Sequence, residues 1–291
     1  MKPKRIAISG ASGMVGRALM KEATKRNIEV VKLQRADYDI EYRSQLAVRM
    51  EGCDAIINLA GHNIGCRWTK KNMDLIYNSR IETTRAIVNA ISSMHQKPKA
   101  FFSTSAVGFY PDHGIYTEST TTSGQSFLAK VCVDWETEAL RISEEVRCII
   151  GRFGVILSSE DGALSRMKIP FKYYLGGKIG NGNQYVSWIH IDDLISAIFF
   201  CLENDNMEGV VNITSPTVTT NKEFMQTLGE VLDKPSFFTT PPFVLKLVLK
   251  NGAQILTNGQ GAIPEKLTDF GYQFLHPELK AALADLLVKS P

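Results

Sequence analysis

The chain has 291 residues, 44% hydrophobic and 22% charged, enough to bury a large core without disulfides or metals as staples. A formal charge of +3 with no long run of like charges leaves no electrostatic footprint for nucleic acid, and no apolar stretch approaches a membrane span. Cys53, Cys66, Cys132, Cys148 and Cys201 are scattered, without a C-x-x-C pair, which argues against a disulfide framework and a zinc site; the opening MKPKRIAISG is too brief and polar for a signal peptide's apolar region, so a cytoplasmic protein is expected.

Through roughly the first two hundred residues, short β-branched runs alternate with longer amphipathic segments, the pattern of a parallel sheet covered by helices. Strands are expected at Arg5–Ser9, Glu29–Leu33, Ala55–Leu59, Lys99–Ser103, Arg147–Gly151 and Val210–Ile213, each apolar enough to be buried on both faces. Helices are expected over 14–26, 44–51, 70–94, 124–144, 162–174, 192–204 and 221–232. In the third of these, Ile76, Ile81, Ala86, Ile87 and Ala90 fall on approximately one face, and Pro98 blocks continuation. Near residue 235 the texture changes. Lys234-Pro235 and Pro241-Pro242 precede an apolar FVLKLVLK helix, and the turn-rich Thr257-Asn258-Gly259-Gln260-Gly261 precedes two short helices around 262–270 and 277–288. About fifty residues rarely hold a core alone. The expected organisation is therefore a main α/β domain over 1–234, with substrate-lobe insertions in its later part, and a small, mostly helical lobe over 235–291.

Between the first strand and the first helix lies Gly10-Ala11-Ser12-Gly13-Met14-Val15-Gly16, a G-x-x-G-x-x-G turn. Glycine suits such a turn where the backbone visits positive φ, where it must approach a pyrophosphate without an obstructing Cβ, and where helix packs tightly on strand. Amides at the helix start then face the negative diphosphate, aided by the macrodipole. A glycine triplet also serves purely steric needs, but its place in the first βαβ unit of a Rossmann-type, doubly wound sheet points to a dinucleotide. About 20 residues further on, where an acidic residue would hold the ribose hydroxyls of NAD, the chain has Leu33-Gln34-Arg35. A guanidinium complements a 2′-phosphate, so Arg35 favours NADP, with NAD as the alternative. In that alternative Arg35 is a surface residue, and Asp37 or Asp39 makes the ribose or adenine contact.

With Asn58-Leu59-Ala60-Gly61, Ser103-Thr104-Ser105-Ala106-Val107-Gly108 and Trp188-Ile189-His190-Ile191-Asp192-Asp193-Leu194, the chain resembles the extended short-chain dehydrogenase/reductase superfamily, the NAD(P)-dependent epimerase/dehydratase type. Asn63-Ile64…Arg67-Trp68-Thr69, Asn78-Ser79-Arg80-Ile81-Glu82-Thr83-Thr84, Phe127-Leu128-Ala129…Cys132…Asp134-Trp135-Glu136, Gly162-Ala163-Leu164 and Asn221-Lys222-Glu223-Phe224 give a narrower likeness over essentially the whole length. It is to the YfcH-like "epimerase family" proteins with a short C-terminal lobe. The resemblance implies a Rossmann domain carrying NADP(H) and a C-terminal region closing over a substrate cleft. It also implies that Gly10, Gly13 and Gly16 take the diphosphate, with backbone contacts from Ser12 and from Met14 or Val15. Arg35 would take the 2′-phosphate, and Asn58, Ala60 and Gly61 would lie along the cofactor.

Hydride chemistry in that superfamily uses a serine or threonine after the fourth strand and Tyr-x-x-x-Lys on the next helix, where lysine and cofactor lower a tyrosine pKa that is about ten in water. Ser105 fits the serine position, but no tyrosine stands between Glu118 and Trp135. The one tyrosine with lysine four later, Tyr174 with Lys178, has two glycines between and is read as coincidence. Tyr110 either substitutes as proton donor or packs beneath its loop; Lys130 either orients the nicotinamide ribose or is an exposed helix lysine. Arg67 and Trp68 either line the substrate mouth or belong to a surface hairpin, and Arg152 either reaches an anionic substrate or pairs within the sheet edge. Asp192 is read as an N-cap, His190 is left open, and the glycine-rich 176–184 is a candidate mobile loop. Two functions follow: an oxidoreductase or epimerase acting on a small polar substrate as a monomer or homodimer, with no nucleic acid or membrane partner, or an NADP(H)-binding sensor or scaffold without turnover.

Overall fold

The computed structural model describes residues 2–38 and 43–288. The chain runs β1 (Arg5–Ser9), α1 (Met14–Lys25), β2 (Glu29–Leu33), α2 (Arg43–Met50), β3 (Ala55–Asn58), α3 (Lys70–Ser93), β4 (Ala100–Ala106), β5 (Ile115–Tyr116), α4 (Phe127–Ala139) and β6 (Arg147–Phe153). It continues through β7 (Val155–Leu157), α5 (Ala163–Lys172), β8 (Gly177–Ile179), β9 (Trp188–His190), α6 (Ile191–Glu203), β10 (Gly209–Ile213) and α7 (Asn221–Val231). The last part holds β11 (Phe238–Thr240), α8 (Pro242–Leu249), α9 (Gln254–Thr257), β12 (Gly261–Ala262), α10 (Glu265–Asp269) and α11 (Leu279–Leu287).

Six strands form a parallel sheet in the order β10-β6-β4-β3-β1-β2. Alternation along each strand supplies both faces. Ile6, Ile8, Ile57 and Phe102 pack in one layer with Leu19 of α1 and Ile198 of α6, while Ala7, Ile56 and Phe101 pack with Leu46 of α2 and Ile87 of α3. Sheet growth reverses between β1 and β3, so the carboxyl ends there flank the crevice in which open α/β sheets bind ligands. Among the described residues, no helix is long and apolar enough to cross a membrane.

The six sheet strands fall close to their expected places, but β4 and β6 reach further, to Ala106 and Phe153. Their ladder continues through Ser105↔Arg152 and Ala106↔Phe153, and the buried polar pair of Ser105 and Arg152 defeats a hydropathy reading. The helix expected over 124–144 shortens to α4 because Ser126 caps it, accepting from the Ala129 amide.

The C-terminal part is bound to the rest by two strands that were expected as loop or helix. β11 pairs with β8 and β12 pairs with β5, while Leu279, Ala282 and Leu283 of α11 join the core of Phe224 and Leu228 of α7. The segment 176–184, a candidate mobile loop, makes regular contacts with its surroundings. Its Gly177–Ile179 is a paired strand, and the buried Gln184 amide donates to Ile179 O at 3.2 Å and Leu256 O at 3.1 Å.

Candidate functional site

The glycine turn sits at the carboxyl end of β1, and its three glycines do different work. Gly10 adopts φ +69°, and a Cβ there would stand 2.8 Å from Leu59 O. A Cβ on Gly16 would lie 2.4 Å from Gly10 O, so helix and turn touch at that point. Gly13 has φ −70° and caps α1 without a side chain; Ser12 and Gly13 are exposed, and no acidic residue occupies the first helical turn. No side chain caps the orphan amides of that turn, which sit at the positive end of the helix dipole, an arrangement suited to an anion. Met14 and Val15 are half-buried beside it.

The opposite wall is the strip Leu59-Ala60-Gly61, shaped by a buried hydrogen-bond chain. Ser9 Oγ donates to Asn58 Oδ1 at 2.6 Å, Asn58 Nδ2 donates to Thr84 Oγ1 at 2.8 Å, and Trp135 Nε1 donates to the same hydroxyl at 2.8 Å. The Ala60 amide donates to Ser9 Oγ at 3.2 Å and Asn58 Oδ1 at 3.3 Å. Asn58, expected alongside the cofactor, has its side chain fully enclosed, so it acts on the strip by holding Ala60. Beneath Gly61 lies Arg80, which donates to His62 O and Ile76 O and rests 5.2 Å over the Trp135 ring.

At the end of β2, Arg35 opens a 3-10 turn and is exposed. The neighbouring Asp37 is engaged: it accepts from the Gln34 amide at 2.6 Å and pairs with Arg49 at 2.5 Å. Asp39 lies outside the described residues.

Of the three candidate catalytic side chains, Ser105 and Tyr110 both border Arg152, which lies 4.7 Å from the Tyr110 ring centre, whereas Lys130 is exposed on α4. Ser105 is buried and donates to Glu136 Oε1 of α4 at 2.6 Å. Arg152, its partner across the sheet, grips the same carboxylate with Nε at 2.8 Å and Nη2 at 2.7 Å, and lies 3.5 Å from the Phe109 ring centre. Its Nη1 is buried with no hydrogen-bond partner among the described residues. Arg152 thus forms an internal ion pair, with Glu136 of α4 and not within the sheet edge. Tyr110 is 1% exposed, stacks on Tyr116, and donates to Asn212 Oδ1 at 2.8 Å. Burial pushes its pKa up against the opposing pull of Arg152 and Asn212, and the enclosed ring packs beneath its loop. Lys130 is exposed on α4 and pairs with Asp134 at 2.9 Å, which also accepts from Tyr77 Oη. Tyr174 has φ +59° after the end of α5, and Lys178 lies in β8, so that pair shares no helix.

Residues 6–214 match the NAD dependent epimerase/dehydratase family, well over half of the chain. The chain belongs to that family. Residues 240–286 match a further domain of unknown function. An epimerase family protein of Staphylococcus haemolyticus is 36% identical over 98% of this chain and 99% of its own length. The human epimerase family protein SDR39U1 (isoform 2), crystallised with NADPH, is 33% identical, with a TM-score of 0.89 covering 97% of this chain and 98% of that one. A nucleoside-diphosphate sugar epimerase from Corynebacterium glutamicum is 28% identical with a TM-score of 0.78, covering 98% of this chain and 58% of that one.

In this family member, the Trp188–Leu194 motif is a brace. His190, rather than the expected Asp192, caps α6, its Nδ1 accepting from the Asp192 amide at 3.1 Å. That bond places the neutral proton on Nε2, which faces Asp285 of α11 at 3.3 Å. His190, His276 and Asp285 thus bring three ligand-type atoms within 4.8 Å of one another. Asp193 accepts from the amides of Leu275 and His276, at 2.7 and 2.8 Å. Trp68 is buried, donates to Ile64 O and meets Phe127 edge-on; the adjacent Arg67 is exposed. Sequence reading missed Glu136 and Arg80 as site residues, although both stand inside quoted motifs, because an acidic or basic side chain on a helix reads as solvated until its burial is known.

Proposed function

We propose that the chain is an NADP(H)-dependent oxidoreductase or epimerase acting on a small polar substrate. The observation that carries this reading is the start of α1, without a side-chain cap and led in by the exposed Ser12 and Gly13, at the switch point of the sheet, with Arg35 exposed at the end of β2. The relative crystallised with NADPH supports the choice of dinucleotide. Ser12, Gly13, Met14, Val15 and Gly16 offer backbone to the diphosphate, Ala60 and Gly61 form the opposite wall, and Arg35 takes the 2′-phosphate. The bound nicotinamide supplies or accepts a hydride. Ser105 polarises a substrate carbonyl by turning its hydroxyl from Glu136 toward the cleft. That rotation strands no charge, because Arg152 already holds both carboxylate oxygens.

A second reading, an NADP(H)-binding sensor or scaffold without turnover, is favoured by the internal partners of Ser105 and Tyr110 and the missing Tyr-x-x-x-Lys pair. Titrations of NADPH and NADH followed by nicotinamide fluorescence test what both readings share. Arg35→Ala should weaken NADPH by about 10- to 150-fold, the range for a charge-assisted hydrogen bond, and leave NADH unchanged. Tighter NADH binding to the parent would overturn the role of Arg35. NADPH oxidation over a carbonyl panel, abolished by Ser105→Ala, supports the enzyme; binding without turnover in any variant supports the sensor.

A further inference from the structure

Arg17 belongs to a basic face of α1 that reads as solvated, yet it reaches across 144 residues of sequence. Its Nη1 donates to Ser12 O at 2.9 Å, while Nη2 contacts Asp161 Oδ2 at 2.6 Å and Glu160 Oε2 at 3.9 Å. Just beyond, Gly162 at φ +95° caps α5, and a Cβ built on it would stand 3.4 Å from Met14 Sδ, so this segment lies against the first residue of α1. Four residues further, Arg166 donates to Gly65 O on the loop that follows the Ala60-Gly61 strip. Segment 160–166 is therefore held through Glu160, Asp161 and Gly162 against the start of α1, and through Arg166 to the loop that follows the Ala60-Gly61 strip.

We propose that Arg17 with Glu160 and Asp161 forms a latch that seats this strap over the dinucleotide cradle and sets how long the bound NADP(H) stays. The inference rests on the cofactor reading above. Two carboxylates beside a diphosphate site would repel the ligand, and Arg17 offsets them while drawing them onto the turn. Both acidic side chains and the guanidinium are well exposed, so the pair is weak and opens readily. A weak pin suits a group that must release its ligand, and it contributes little to the fold.

The test is the dissociation rate of NADPH, measured by stopped-flow fluorescence after mixing the complex with excess NADP. Arg17→Gln and the double variant Glu160→Gln/Asp161→Asn should each release NADPH about two- to fivefold faster, the range for one exposed ion pair. Combining all three should be no faster than either. The melting temperature of the ligand-free protein should not move, which separates a latch from a structural bridge. The gap between parent and variants should close near 1 M salt, where charges are screened within about 3 Å. Faster release from Arg17→Gln alone, with the acidic double variant unchanged or slower, would mean that Arg17 touches the phosphate itself and would overturn the latch. Equal rates throughout would do the same. A parent without affinity for NADPH would instead remove the cofactor reading, and the latch with it.

Discussion

Gly13 separates a glycine kept for the fold from one kept for a ligand. Gly10 and Gly16 are demanded by the chain itself: one has φ +69°, and a methyl on the other would overlap Gly10 O at 2.4 Å. Gly13 has φ −70° and ψ 169°, open to any residue, and an added methyl would stand 3.3 Å from Gly10 O. For Gly13→Ala, the poorer cap and tight contact cost about 0.5–1 kcal/mol, offset by about 0.4–1 kcal/mol from a stiffer unfolded chain. The net change should lie within about 1 kcal/mol, a shift of at most about 4 °C in Tm. Affinity should respond differently, because the methyl stands where the diphosphate would approach the exposed amides. Loss of one charge-assisted hydrogen bond, about 1.5–3 kcal/mol, means a roughly 10- to 150-fold rise in the NADPH Kd. Gly16→Ala should show the converse emphasis, with overpacking costing about 1–3 kcal/mol of stability. Thermal unfolding and NADPH titration of the two variants side by side make the comparison. If Gly13→Ala binds NADPH as the parent does, the diphosphate does not lie on this turn.

Tyr110→Phe leaves the buried Asn212 Oδ1 without its donor at 2.8 Å, so Tm should fall by about 2–10 °C, from a loss of about 1–3 kcal/mol. NADPH affinity should stay within about twofold; abolished turnover at an unchanged Tm would contradict the packing role. His190 is held below its usual pKa by burial and by His276, against the opposing pull of Asp192, Asp285 and Asp193. The unfolded chain therefore takes up a proton near pH 6.5 that the native state does not, and stability falls as pH drops below about 6.5. His190→Asn keeps a capping acceptor but no titrating ring, so denaturant unfolding between about pH 7 and 5 should show a shallower loss; an equal slope would refute the assignment.

The amino-acid sequence alone determined the features whose chemistry is local. The glycine turn, the six sheet strands and most of the helices follow from steric rules and from periodicity within a dozen residues, and the site's location follows from placing that turn in the first βαβ unit. Tertiary structure decided whatever depends on a partner far along the chain. Ser105 meets Glu136 31 residues away, Tyr110 meets Asn212 102 residues away, and Arg17 meets Asp161 144 residues away. A hydroxyl or a guanidinium has the same propensity whether it faces a cleft, a buried carboxylate or water. Strands as short as β8 and β11 carry no period of their own and exist because each supplies the other's hydrogen bonds. Only the closed packing of the lobe against the sheet assigns those groups their partners, and with them their chemistry.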